Sequence, residues 1–236
     1  MLNSGRKADS YMAKITSQGT SYSYTTKFQT VHAVKDATFS FDVGKVYAIT
    51  GESGSGKSTL LSLLAGLDLP EEGEISIDGN SMSGMNRDMY RRTEASVVYQ
   101  SYHLLPLLTA EENVMLPMEL RRVPKAERKK KAAELLAKVG IGEDKRGKFP
   151  KMMSGGEQQR VAIARSLASG GRILLADEPT GNLDTENGQK IIDLLLSLAH
   201  DDGYLVVVVT HNPDVARQAD ERYTMKDGVL ARKDGE

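Results

Sequence analysis

An α/β fold built on a mostly parallel sheet is what this sequence predicts, and three observations predict it. Two continuous apolar runs, at 173–176 and 205–209, have the form a strand takes when helices cover both faces of its sheet. Between them Ile191, Leu194, Leu195 and Leu198 recur at three-to-four spacing, the mark of one helix face. Strand-like and helix-like segments alternate earlier in the chain as well, as repeated strand–helix units do.

The elements follow in order. Residues 1–20 are polar and small, without a period, and the first nine read as a loose arm. Residues 38–41 and 46–50 read as strands, because β-branched and aromatic residues cluster around turn signals at 42–45. The second strand runs into a Gly/Ser stretch, and 59–67 beyond it reads as a helix. Residues 74–77 followed by Asp78-Gly79 read as a strand ending in a tight turn, and 96–99 as another short strand. The middle is charged and helical from Thr109 to Val139. Thr109-x-x-Glu112 there fits a capping box, and Pro124 suits the first position of a second helix. There is no internal repeat.

The chain has 236 residues, enough for one to two domains at about 150 residues each. A single domain over 15–236 behind an arm at 1–14 is expected, with its core at 15–100 and 154–236 and a helical insert at 101–153. Lys and Arg total 31 against 32 Asp and Glu, a balance that argues against a nucleic-acid partner. Cysteine is absent, which removes disulfides, thiolate metal sites and thiol nucleophiles. The longest apolar runs are about five residues, against the roughly 18 that a membrane span needs. The first dozen residues lack the apolar run of a signal peptide. These features fit a globular intracellular protein that meets a membrane only through a partner.

Three motifs carry chemistry. Gly51-Glu52-Ser53-Gly54-Ser55-Gly56-Lys57-Ser58-Thr59 fits G-x-x-x-x-G-K-[ST], the P-loop pattern, which implies a P-loop NTPase core. Its glycines let backbone amides curl around phosphate oxygens at the positive end of the following helix. Lys57 adds a charge at the phosphates, and the Ser58 hydroxyl is a ligand for Mg2+. The pattern arises by chance in about one chain in a hundred of this length. Asp177 and Glu178 close a buried strand, where Asp177 supports Mg2+ and Glu178 polarises the attacking water. Ser154-Gly155-Gly156-Glu157 is a capping box whose two glycines clear the backbone for an anion. One chain thus carries two phosphate-seeking helix starts.

In this order the motifs resemble the ATP-binding subunit of ABC transporters, over about residues 15–230. That resemblance adds an N-terminal antiparallel β part and an inserted α-helical subdomain to the expected fold. Met153–Gln158 is similar to the family's signature sequence, with Met153 where leucine is usual. Gln100 falls in the glutamine loop and would sense Mg2+ and the attacking water. Asp184 lies in the D-loop, and His211 matches the switch histidine at the γ-phosphate. Asn212 stands where aspartate is frequent, and with Pro213 it reads as a helix cap. An aromatic residue would stack on adenine, either Tyr24 or Tyr22, with Tyr24 favoured. The resemblance implies ATP hydrolysis with ATP and Mg2+ as cofactors. It also implies a separate integral-membrane permease that holds this cytoplasmic chain on the inner face of the cell membrane, and a second copy paired head to tail, so that Ser154, Gly155, Gly156 and Asp184 serve the partner's ATP. The segment 104–120 looks most like the lipoprotein-release, macrolide-export and antimicrobial-peptide-resistance group. A soluble ATPase acting on ribosomes or DNA, and a regulatory module signalling through a permease, are the rival readings.

Other features are bland. His32, His103 and His200 lack a second ligand at metal spacing. Met82, Met85 and Met89 read as packing, and 125–131 as a solvated charged face.

Overall fold

The computed structural model describes residues 14–233, in which ten strands form one sheet. β1 (Lys14–Thr25) and β2 (Thr30–Asp42) make a long antiparallel hairpin, and β3 (Lys45–Thr50) leads through the Gly/Ser loop into α1 (Lys57–Leu64). β4 (Glu72–Ile77), β5 (Asn80–Ser81), α2 (Arg87–Thr93) and β6 (Ala95–Tyr99) follow. The helical stretch contains α3 (Ala110–Leu120), α4 (Lys125–Lys138), α5 (Glu143–Arg146) and α6 (Gly155–Leu167). The chain then runs through β7 (Ile173–Asp177), α7 (Thr185–His200), β8 (Leu205–Thr210), α8 (Pro213–Arg217), β9 (Glu221–Lys226) and β10 (Val229–Arg232).

The sheet order is β5-β4-β1-β2-β10-β9-β3-β8-β7-β6. From β9 through β3, β8 and β7 to β6 every pairing is parallel, whereas β5, β4, β1 and β2 pair antiparallel. The parallel part therefore sets the ends of β3, β7 and β8 side by side along one edge, which places the site.

Two cores lie on opposite faces of this sheet. Along β8, Leu205, Val207 and Val209 enter one core and Val206 and Val208 the other, as the two-residue period of a strand requires. Along β7, Ile173 and Leu175 alternate in the same way with Leu174 and Ala176. The first core takes Leu60, Leu61, Leu63 and Leu64 of α1 and Tyr90 of α2. The second takes the apolar faces of α3, α4, α6 and α7.

Several expectations need correction. The unpatterned stretch at 14–20 is the start of β1, and the strand expected at 38–41 begins at Thr30. Bulges between Ser17 and Thr20 and around Tyr22 break the alternation that would have marked β1. The rest of the arm expected at 1–14 lies outside the described residues. The helix expected at 59–67 covers Lys57–Leu64, ending before Gly66, which takes φ 64°. Pro124 is the N-cap of α4 rather than its first residue. β9 and β10 were not foreseen at all. Met89 is half exposed, unlike Met82, which is buried. Both capping boxes form as spaced, and Asn212 and Pro213 open α8.

Candidate nucleotide site

The loop between β3 and α1 is wedged between two backbones. A Cβ on Gly56 would sit 2.0 Å from the Ala33 carbonyl oxygen, and one on Gly51 would sit 2.2 Å from that of Met225. Gly228 N also donates to Ser55 O at 3.1 Å, so the β9–β10 turn closes the loop from one side. Only glycine fits either position. Ser53, Gly54 and Ser58 are exposed, while Ser55 and Lys57 are buried and Thr59 is half-buried. The Lys57 ammonium donates to Gly51 O at 2.8 Å and Glu52 O at 2.7 Å. A cation is thus seated within a partly exposed loop that carries glycine at 51, 54 and 56, at the start of α1, which is the chemistry a phosphate chain requires.

At the end of β7 two carboxylates meet different surroundings. Asp177 is half-buried, and burial, with Glu178 beside it, raises its pKa; the Lys57 charge offsets part of that. Glu178 takes φ 47°, a left-handed conformation that is unusual for a residue with a side chain. Its Oε1 accepts from His211 N at 3.0 Å and from His211 Nδ1 at 2.7 Å, and its Oε2 accepts from Thr210 Oγ1 at 3.2 Å. An ionised carboxylate only accepts, so His211 Nδ1 carries the proton, and Nε2 points its chemistry elsewhere. Asn212 N donates to Thr210 Oγ1 at 3.0 Å, which fixes that hydroxyl in turn.

Gln100 follows β6 and is tied across to the turn after β7. Its Nε2 donates to Asn182 Oδ1 at 3.1 Å, and Asn182 Nδ2 donates back to Gln100 O at 3.0 Å. Tyr24 places its hydroxyl 3.4 Å from Thr59 Oγ1, half exposed above α1. Tyr22 meets it edge-on at 5.2 Å and packs against the core instead.

Ser58 hydroxyl, Gln100 amide and Asp177 carboxylate offer hard oxygen donors, the type that Mg2+ takes while keeping several waters. Among the described residues no cluster of three or more His, Asp or Glu side chains is assembled to hold a metal.

Ser154 caps α6, accepting from Glu157 N at 3.3 Å, while Glu157 Oε2 accepts from Ser154 N at 2.8 Å. Asp184 caps α7 through Asn187 N at 2.8 Å, and these bonds lower its pKa. Gly156 packs on Asn187, whose Oδ1 would lie 3.0 Å from an added Cβ. The α6 start belongs to the core opposite the one that seats α1. So Lys57, Asp177, Glu178, His211, Gln100 and Tyr24 gather along one edge of the sheet, while Ser154, Gly155 and Gly156 sit with the helical layer on its other face.

The ABC transporter family model matches residues 34–181, more than half of the chain. The chain belongs to the ABC transporter family. It is the ATP-binding, ATP-hydrolysing part of such a system. This ABC ATPase is 46% identical over 199 residues to a lipoprotein-releasing system ATP-binding protein, LolD 2, of Rhodopirellula baltica, covering 80% of this chain and 78% of that one. It is 41% identical over 221 residues to the macrolide export ATP-binding/permease protein MacB of Photorhabdus laumondii, covering 92% of this chain and 34% of that protein. Here it spans about a third of the relative's length. Among solved structures it matches the ATP-binding cassette MJ0796, a dimer in a post-hydrolysis state bound to ADP and Pi. The TM-score is 0.84 at 38% identity, over 94% of this chain and all of that one.

Sequence reasoning missed two supports of the ABC ATPase site. Asn187 looks like an ordinary helix residue, and only the fold shows that it bonds Asp184 and packs on Gly156. Asn182 falls in the expected D-loop, but its tie to Gln100 is visible only in the fold. Met225 comes from β9, whose short, partly polar strand gave no signal.

Proposed function

We propose that this ABC ATPase powers a separate membrane permease that exports or extracts a lipoprotein, a peptide or a drug-like compound. It would work as a head-to-tail pair on the cytoplasmic face of the membrane. In this reading Gly51–Ser55 with Gly56, Lys57, Ser58 and Thr59 embrace the phosphates, and Tyr24 stacks on the adenine. Mg2+ would supply positive charge that offsets the negative charge of the phosphates, and Ser58, Gln100 and Asp177 are the residues that would hold it. Glu178 is the general base that takes the proton of the attacking water. His211, oriented through Nδ1, presents Nε2 to the γ-phosphate. Gln100 aligns the water. Ser154, Gly155, Gly156 and Asp184 reach the nucleotide of the other copy.

The observation that carries this reading is the Glu178–His211–Thr210 cluster at the mouth of the P-loop edge, in a chain matching most of a lipoprotein-releasing ATP-binding protein. An affinity pull-down of the tagged protein from detergent-solubilised membranes of its host tests it. A polytopic permease in the eluate is the expected result. Ribosomal or DNA-repair proteins without any permease, with and without ATP, would leave the ATPase standing and remove the transporter.

A further inference from the structure

Arg165, in the last turn of α6, spends its guanidinium on two backbone carbonyls. Nη1 donates to His103 O at 2.6 Å and Nη2 to Tyr102 O at 3.1 Å. Those two acceptors belong to consecutive left-handed residues, Tyr102 at φ 60° and His103 at φ 48°. Each is unfavourable for a residue with a Cβ, and such a conformation persists only where its surroundings over-determine it. The local bonds are modest: Tyr102 N donates to Tyr99 O at 3.1 Å and His103 N to Ser101 O at 2.6 Å. The His103 ring also lies against Tyr99 at 4.6 Å.

The same segment touches α6 at its other end. The Tyr102 hydroxyl lies 2.7 Å from where a Cβ on Gly155 would be, so Tyr102 meets α6 both at its start and at Arg165. Two residues before Tyr102 is Gln100, whose side chain and carbonyl are tied to Asn182. A planar fork holds two successive carbonyls with fixed, parallel donors, a rigidity that a lysine ammonium on its flexible stem lacks.

We propose that Arg165 is a positioning residue for ATP hydrolysis: it latches Tyr102 and His103 in their left-handed conformation and thereby holds Gln100 in register with the site. This rests on the reading that Gln100 acts in that site. Without the latch the dipeptide relaxes toward ordinary backbone angles, and the Gln100 amide loses its fixed distance from the phosphate edge. Misplacement on the order of 1 Å costs about a hundredfold in rate. The phosphates themselves are held by Lys57 and the loop, so nucleotide binding stays.

The test uses the full chain in four forms: parent, Arg165→Ala, Arg165→Lys and Gln100→Ala, together with the Arg165→Ala/Gln100→Ala pair. Hydrogen–deuterium exchange reads the latch directly, independent of activity. Arg165→Ala is expected to speed exchange at 101–104 while amides in the body of α6 keep their protection, with Arg165→Lys in between. Mg2+-dependent ATPase kinetics read the consequence: kcat falls roughly 10- to 100-fold with KM for ATP within about twofold. The loss vanishes when Gln100 is already alanine. Unchanged exchange at 101–104 overturns the latch. Multiplicative losses in the double variant overturn its action through Gln100. Gln100→Ala at the parent rate would remove the assigned role of Gln100, and with it this proposal's link to catalysis, while the exchange data judge the latch separately.

Discussion

Asp177 and Glu178 are neighbours with opposite needs. The Glu178 carboxylate accepts three hydrogen bonds on a left-handed backbone, and one of its roughly four lone-pair sites is left for the proton that the proposed general-base role requires. Asp177 is half-buried and its pKa is raised, so its charge is carried at a cost to the fold. The sign follows: a carboxylate whose folded pKa lies above its unfolded value makes the protein less stable as pH rises through that range. Paired substitutions separate the two. Glu178→Gln is expected to keep ATP binding and lose turnover by about 10²–10⁴-fold, trapping an ATP-bound dimer. Asp177→Asn removes the buried charge and is expected to raise the melting temperature of the nucleotide-free protein, on the order of 1–3 °C, while losing Mg2+-dependent hydrolysis. Thermal melts without ligand and steady-state ATPase assays check both. A lower melting point for Asp177→Asn, or parent-like turnover for Glu178→Gln, would contradict these assignments.

At the scale of elements, the start of α6 is the informative case. Ser154 and Glu157 satisfy each other's orphan amides, and Lys145 in α5 donates to Glu157 at 2.5 Å. The Lys145 bond, then the Ser154 amide, hold the Glu157 pKa below its ordinary 4.5. A lowered carboxylate stabilises the fold above its unfolded pKa, and that contribution is lost as pH falls through the folded value. Denaturant unfolding of the parent is therefore expected to weaken from about pH 4.5 downward more steeply than that of Glu157→Gln, which keeps the reach-back bond without the charge. Equal slopes would remove the Lys145 pairing as a source of stability. Ser154→Ala is expected to cost about 1 kcal/mol. This start was legible in the sequence because a capping box is a local pattern of four residues. So were the P-loop and the buried strands β7 and β8, where glycine spacing and unbroken apolar runs are themselves the structure's requirement. β1 was not, because its inward positions include Ser17 and Thr20. They are buried by bonding each other and the Ala37 and Glu74 carbonyls rather than by being apolar. The latch of Arg165 on Tyr102 and His103 joins residues 62 and 63 positions apart, and no periodicity encodes such a pairing.

For the whole molecule, the two phosphate-seeking helix starts pose a geometric problem that one chain does not solve. α1 is seated in one core with β3 ending at its loop, and α6 is seated in the other, packed on α3, α4 and α7. In the head-to-tail pair proposed above, a two-fold axis would bring the α6 start of each copy against the P-loop of the other, an isologous arrangement that closes on itself. MJ0796, matched over all of its length and 94% of this chain, was solved as a dimer. The arrangement predicts complementation between two inactive variants. Lys57→Ala removes the P-loop charge and Ser154→Arg blocks the α6 start, so either homodimer has two defective sites. In a mixed dimer both lesions fall on one composite site, and the other is intact. Equal mixing gives heterodimers in about half of the pairs, so up to roughly a quarter of parent ATPase activity is expected to return. ATP-dependent dimers should also appear by size-exclusion chromatography in the mixture and be absent from either variant alone. If each site were completed within one chain, mixing would restore neither association nor hydrolysis.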